Sequence, residues 1–175
     1  MPTLSCPIPS NLNPLQSNGF MFEINKLPSV SFFCQEANLP GLTLPPLEVS
    51  SPFVDYPVPG EKLVFDDLQI TFLIDENMEN FLAIYNWMVG LGFPKLHQQY
   101  KEFINSNQIN PNELVAGYSD GVLQILNSSN NPIRTATFRD LFPTSLQSLQ
   151  LQSTTNETTY LAGNATFKYT LYEFT

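Results

Sequence analysis

The sequence predicts a mainly β domain, an antiparallel β-sandwich or barrel with one flanking α-helix and a long loop. Three observations predict it. Several short segments alternate apolar and polar residues at a period of two. One stretch alone carries apolar groups at helical spacing. Six prolines and two glycines interrupt residues 38–62, where neither regular structure runs easily. The 175 residues suit one domain, and 42% hydrophobic with 13% aromatic residues can fill a core.

The chain divides into an N-terminal arm, residues 1–18, and a β domain over 19–175. The arm has four prolines, three asparagines and no charged side chain. It reads as extended, either free or docked on a neighbour. Phe20, Phe22 and Ile24 then alternate with Met21 and Glu23 in a first strand. Asn25, Lys26 and Pro28 turn the chain, and Val30, Phe32 and Cys34 alternate in a second strand.

Residues 38–62 form a long loop or open hairpin with a short edge strand near Phe53–Tyr56. Its Leu42, Leu44, Leu47, Phe53, Val54 and Tyr56 are poor choices for a solvated loop, so it is expected to pack on something, such as another subunit.

Leu68, Ile70, Phe72 and Ile74 make the clearest strand. Asp75-Glu76-Asn77 opens the helix, since a carboxylate caps free N–H groups and suits the positive end of the dipole. Met78, Phe81, Leu82, Tyr85, Met88 and Val89 form the expected apolar stripe, with Glu79, Asn80, Ala83 and Asn86 on the other faces. Gly90, Gly92 and Pro94 stop the helix near residue 89. Residues 95–113 read as a polar insertion. Val122–Leu126 and Thr135–Phe138 flank an Asn-Ser-rich turn and pair as a hairpin. Leu141-Phe142-Pro143-Thr144 reads as a bend, Gln147–Gln152 as a strand, and Ala165 to Tyr172 as the last strand.

The formal net charge is −9, from 16 acidic and 7 basic residues. So few cations make a poor wrapper of nucleic acid. Ten of the acids but two of the bases lie between Glu23 and Glu79, which concentrates negative charge in that half. Only 13% of residues are charged, so the surface is built of uncharged polar and apolar groups, a composition suited to the inside of an assembly.

Cys6 and Cys34 have no metal-ligand spacing. One bridge between them is possible, and two free thiols fit a reducing compartment. Met1–Leu15 has no basic n-region and four prolines, so it does not read as a signal peptide. Sequons at Asn127, Asn156 and Asn164 fit chance in so Asn- and Ser-rich a chain.

Catalytic patterns are missing. His97 is the sole histidine and has no nucleophile elbow beside it. There is no zinc pattern and no phosphate loop. Asp66-Asp67 and Asp75-Glu76 read as turn and cap residues, because neighbours on a strand face opposite ways. The residues therefore point to a protein that is not an enzyme and needs no cofactor. Trp87 and seven tyrosines leave a glycan-binding β-sandwich as an alternative of another class, although Trp87 falls in the predicted helix.

An ordered set of motifs carries a resemblance. It runs through Phe20-Met21-Phe22-Glu23-Ile24, Phe33-Cys34-Gln35-Glu36-Ala37, Leu39-Pro40-Gly41, Gly60-Glu61 and Phe65-Asp66-Asp67-Leu68-Gln69-Ile70-Thr71-Phe72. It continues with Asp75-Glu76, Trp87, Leu141-Phe142-Pro143-Thr144 and Leu149-Gln150-Leu151, then the strand to Phe174. Over residues 20–174 the chain resembles the tail tube protein of contractile-tailed, T-even-like bacteriophages.

The resemblance implies a structural virion protein, made in the host cytoplasm, that forms hexameric rings. The rings would stack into a tube, a sheath protein would surround it, and baseplate proteins would meet one end. Tape-measure protein and DNA would pass through the lumen without specific binding, and no part of the chain would enter a membrane. A baseplate tube initiator or a tail terminator or completion ring is the alternative within the family.

On this reading Leu42, Leu44, Leu47, Phe53, Val54 and Tyr56 face a neighbouring subunit or ring. Gln69, Thr71, Thr166, Thr170 and Asp66 are candidates for the lumen. Glu79, Asn80 and Asn86 are candidates for the sheath-facing side of the helix.

Overall fold

The computed structural model describes residues 13–92, 117–152 and 160–175. The strands form two layers that share one long strand. One layer holds β1 (Phe20–Ile24), β8 (Ser119–Leu126), β9 (Pro132–Leu146) and β11 (Leu171–Phe174). The other holds β9, β10 (Ala162–Lys168), β7 (Leu68–Leu73) and β2 (Cys34–Ala37). All the pairings are antiparallel. The period-two alternation sends Phe22, Ile24, Leu123, Ala136 and Phe138 inward from the first layer. Leu68, Ile70, Phe72, Ala165 and Phe167 point inward from the second, and all ten belong to one core. The predicted class, an antiparallel β domain with a flanking helix, is the observed one.

The predicted second strand is mostly a helical turn, α1 (Pro28–Phe32). Proline is preorganised for the first helical position. Ser31 Oγ accepts from the Ile24 N–H at 2.9 Å and donates to the Leu27 carbonyl at 3.2 Å, which folds the segment back on β1. The apparent alternation therefore fails: Val30 is fully buried while Phe32 is 83% exposed. Only Cys34–Ala37 joins the sheet.

The helix, α2, runs Glu79–Gly92, starting two residues later and ending three residues later than predicted. Asp75 caps it as expected, its carboxylate accepting from the Glu79 and Asn80 N–H groups at 3.2 and 3.1 Å. The buried face, however, is Asn80, Ile84, Trp87 and Gly90, whereas Met78, Leu82 and Tyr85 of the predicted stripe are exposed. Trp87 packs on Phe167 and donates its Nε1–H to the Gly117 carbonyl at 2.8 Å. That core role leaves it no free face for a sugar.

Three further expectations give way. The predicted bend at Leu141–Thr144 lies inside β9. Asp140, also inside β9, takes a positive φ of 56° at a register shift, just before the strand leaves β8 and β11 and passes to β10. Pro143 has no N–H to give the ladder, and the register shifts there. Thr144 Oγ1 instead donates to the Thr166 carbonyl at 3.1 Å. Gln147–Gln152 is not a strand; the Gln147 N–H makes one bond to the Asn164 carbonyl and the pairing stops. The predicted last strand breaks at Tyr169-Thr170 into β10 and β11, one for each layer.

Residues 13–18 are exposed and form neither helix nor strand. The rest of the arm, with Cys6, and the 95–113 insertion, with His97, fall outside the described residues.

Candidate functional site

Between β2 and β7 the chain leaves the body and returns as a projecting hairpin in two stages. β3 (Leu42–Thr43) pairs with β6 (Val64–Phe65) nearest the body. β4 (Leu47–Val49) pairs with β5 (Tyr56–Val58) beyond them. The open hairpin read from the prolines is thus present, with short strands on either side of the tip rather than one edge strand at Phe53–Tyr56.

Backbone contacts set its shape. The Pro45 carbonyl crosses so close to Gly60 that a side chain there would collide with it, and one at Gly41 would meet the Asp66 carboxylate. At the tip, Ser51 Oγ donates to the Val54 carbonyl at 2.8 Å and accepts from the Val54 N–H at 3.3 Å. This tight turn holds Phe53 at the apex, 96% exposed.

Leu42, Leu44, Leu47, Phe53, Val54 and Tyr56 are all brought together on this hairpin, and all are exposed. Val49, Leu63 and Val64 extend the surface. They were legible as apolar residues flanking the same prolines. Phe32 and Met21 are exposed, which their alternating pattern in the sequence conceals. With Phe20, Pro28 and Cys34 they line an open groove of about 430 Å³.

The outer face of the second layer is polar. Thr71 stands opposite Asn164 on β10 and Glu36 on β2. Its hydroxyl meets Asn164 Oδ1 at 2.8 Å and Glu36 Oε2 at 3.3 Å, and Asn164 Nδ2 donates to Gln147 Oε1 at 3.1 Å. Beside this row, Thr166 lies between Gln69 and Ser145. Three of the proposed lumen residues, Gln69, Thr71 and Thr166, therefore share one face. Glu36 and Asn164 join them through strand pairing, which the sequence does not specify. Thr170 and Asp66 stand apart: Thr170 is in the turn before β11, and Asp66 is at the foot of the hairpin.

On α2, Glu79 and Asn86 are exposed as expected. Asn80 is not: it is fully buried, and its Nδ2 donates to the Leu73 carbonyl at 2.7 Å. A polar helix residue reads as a surface residue, but Asn80 is the hydrogen-bonded link between helix and sheet.

Reactive chemistry is sparse. Among the described residues no cluster of three His, Cys, Asp or Glu side chains is placed to hold a metal. Burial pushes the Cys34 thiol up to about 11, against a weaker opposing effect of the Glu36 backbone. It is therefore a protonated packing group near neutral pH and not a nucleophile. Lys26 lies over the Trp87 ring at 5.5 Å, and burial lowers its pKa.

The sequence profile of the family described as phage tail tube protein matches residues 4–175. Comparison with curated proteins gives no match. Among solved structures, the chain is similar to one in the sheath–tube complex of the PVC extracellular contractile injection system in its extended state. The identity is 14%, the alignment covers 94% of this chain and 93% of that one, and the TM-score is 0.58. It is also similar to a chain of the anti-feeding prophage baseplate, with 14% identity, 94% and 97% coverage and a TM-score of 0.58. For the tube-terminating cap of the anti-feeding prophage the values are 15%, 99% and 98%, and 0.60. At such identities the likeness is one of fold.

Proposed function

The chain belongs to the phage tail tube protein family, and on that premise we propose that it builds the tube of a contractile tail. Six copies close into a ring and the rings stack. The observation that carries this reading is the hairpin. Its large apolar side chains are exposed, Phe53 at 96% foremost. Burying one such side chain contributes about 1.5–3 kcal/mol, so several of them on a neighbouring subunit or ring supply a strong drive to assemble. Among the described residues β1, β2 and β11 each have one edge with no paired strand, which supports it too. Closing a sheet between subunits removes such edges.

In this arrangement the polar face of Gln69, Thr71, Thr166 and Asn164 lines the lumen. It offers hydrogen-bonding groups and the negative charge of Glu36, but few cations to hold phosphate. Tape-measure protein and DNA then pass without being gripped. Repulsion acts only near the wall, since the screening length is about 8 Å at physiological salt. The exposed side of α2, with Glu79 and Asn86, faces the sheath, and baseplate proteins meet one end of the tube. The protein is made in the host cytoplasm and ends in the virion tail. Its work is structural, with no catalysis.

A second reading, a ring that ends the tube, draws on the fold likeness to the tube-terminating cap. Electron cryomicroscopy of the purified protein over a concentration series tests both. Stacked six-fold rings support the repeating subunit. Single rings that never stack support the terminal one. A protein that stays monomeric even with baseplate components present overturns both.

A further inference from the structure

The hairpin leaves the body at a narrow neck, and the crossover from β10 to β11 grips that neck on both sides. Tyr169, in the crossover, donates its hydroxyl to the Asp66 carbonyl at 2.9 Å. Tyr172, on β11, donates to the Pro40 carbonyl at 3.2 Å. Pro40 and Asp66 are the two feet of the hairpin. The Asp66 N–H donates to the Gly41 carbonyl at 3.1 Å, and Leu42 pairs with Phe65 immediately beyond.

The Phe65 ring lies edge-on to both tyrosines, at 5.9 and 5.6 Å between centroids. The tyrosines in turn contact Phe138 of β9 at 5.0 and 5.6 Å. An ion pair between Lys168 and Asp67 at 2.6 Å closes the same corner. Burial foremost, with Tyr172, Asp66 and Asp67 nearby, holds the Tyr169 proton well above the ordinary tyrosine range, so the donor persists at any physiological pH.

Beyond the neck the hairpin is a ribbon two strands wide, and residues 41–50 are all exposed. An isolated two-stranded ribbon has little stability of its own, so its direction is decided where it is held. We infer that Tyr169 and Tyr172 are positioning residues, whose hydroxyls aim the hairpin and tie its direction to the edge strand β11. β11 has β9 on one side and, among the described residues, no strand on the other. A neighbour that pairs with that edge fixes Tyr172, and through it the hairpin. Contact along one edge thereby prepares the apolar ribbon for contact elsewhere.

The test compares the wild-type chain with Tyr169→Phe, Tyr172→Phe and the double variant, each dilute enough to be monomeric. The substitution removes one oxygen and keeps the ring. Hydrogen exchange at the Asp66 amide and across the Leu42–Phe65 pair is expected to be roughly tenfold faster per lost bond. Amides that pair β11 with β9 should keep the wild-type rate. Spin labels placed by Asp55→Cys and Thr137→Cys, with Cys6 and Cys34 replaced by serine, should give a broader distance distribution in the double variant.

An unchanged hairpin in the double variant overturns the inference. So does faster exchange spread equally over β11, which would make the tyrosines ordinary packing residues. If Tyr172→Phe does not fold, Tyr169→Phe alone carries the test, because its bond lies at the exposed side of the neck. Slower tube growth by the same variants is the further consequence, and it rests on the tube reading. A wild-type chain that never assembles would sink that reading and leave the exchange result standing.

Discussion

The Asn80 amide reaches the Leu73 carbonyl at 2.7 Å, and this bond sets which face of α2 meets the sheet. Asn80 Oδ1 also accepts from the Phe81 N–H at 2.8 Å, so both ends of the buried amide are used. Replacing Asn80 by alanine leaves the Leu73 carbonyl without that donor. The expected cost is about 2–3 kcal/mol, or roughly 5–10 °C in Tm for a chain of this size. Asn80→Asp should do more harm at neutral pH, since it loses the donor and buries a charge. Thermal unfolding followed by circular dichroism measures both, and a Tm within a degree of wild type would contradict the assignment.

Gly60 faces the Pro45 carbonyl with no room for a methyl group. Gly60→Ala should force β4 and β5 apart while the two-layered body keeps its stability, since Gly60 lies outside its strands. The expected pattern is faster hydrogen exchange confined to residues 45–60, with a Tm shift of no more than about 2 °C. A large global loss of stability would mean that the hairpin is part of the cooperative core.

Phe53 separates folding from assembly. At 96% exposure it contributes nothing to the isolated chain, so Phe53→Asp should leave stability within about 0.5 kcal/mol of wild type. It should nevertheless abolish self-association, because a charge would replace an apolar contact at the hairpin apex. Sedimentation velocity across a concentration series reads this directly. Tubes formed by the variant at wild-type concentrations would remove Phe53 from the contact surface.

These contrasts show what the sequence made legible. Leu68, Ile70 and Phe72 obey the period of two because one face of β7 packs on the core, and that signal is local. The apolar hairpin was legible from a mismatch, prolines beside leucines. Val30 and Phe32 misled because a five-residue helix and a strand share the pattern until Ser31's bonds to Ile24 and Leu27 are seen. The buried face of α2 misled because both faces carry large apolar groups, Leu82 and Tyr85 on one and Ile84 and Trp87 on the other. A polar residue, Asn80, decides between them. The row from Glu36 through Thr71 to Asn164 is set by register between segments 35 and 93 residues apart, and a single sequence carries no register.

The Cys34 thiol gives a pH dependence with a definite sign. Its pKa is raised from 9.0 to about 11 by burial. The fold therefore favours the protonated form, and the contribution is fully present below pH 9. It is lost as pH rises from 9 through 11, where the unfolded chain ionises first. The urea midpoint should fall over that window more in a Cys6→Ser chain than in one that also carries Cys34→Ser. Alkylation of Cys34 at pH 8 should be about 100-fold slower than that of an ordinary cysteine, in proportion to its thiolate. Labelling as fast as that of a free thiol would show that β2 opens readily from β7.

The polar face of the second layer yields the prediction that bears most directly on transport. Gln69 and Thr166 lie side by side on adjacent strands, and Gln69 is exposed. Lysine at both positions should be accepted by the fold, with a change in stability within about 1 kcal/mol, because neither side chain points into the core. Repeated around a six-membered ring and along a stack, the two substitutions would line the channel with cations. If this face lines the proposed lumen, DNA would then be held at its phosphates, and more weakly as salt rises. Virions carrying the double variant should assemble tails of normal length yet eject DNA slowly, with ejection recovering at high ionic strength. Wild-type ejection kinetics at low salt, from tails shown to contain the variant, would place this face elsewhere than the lumen.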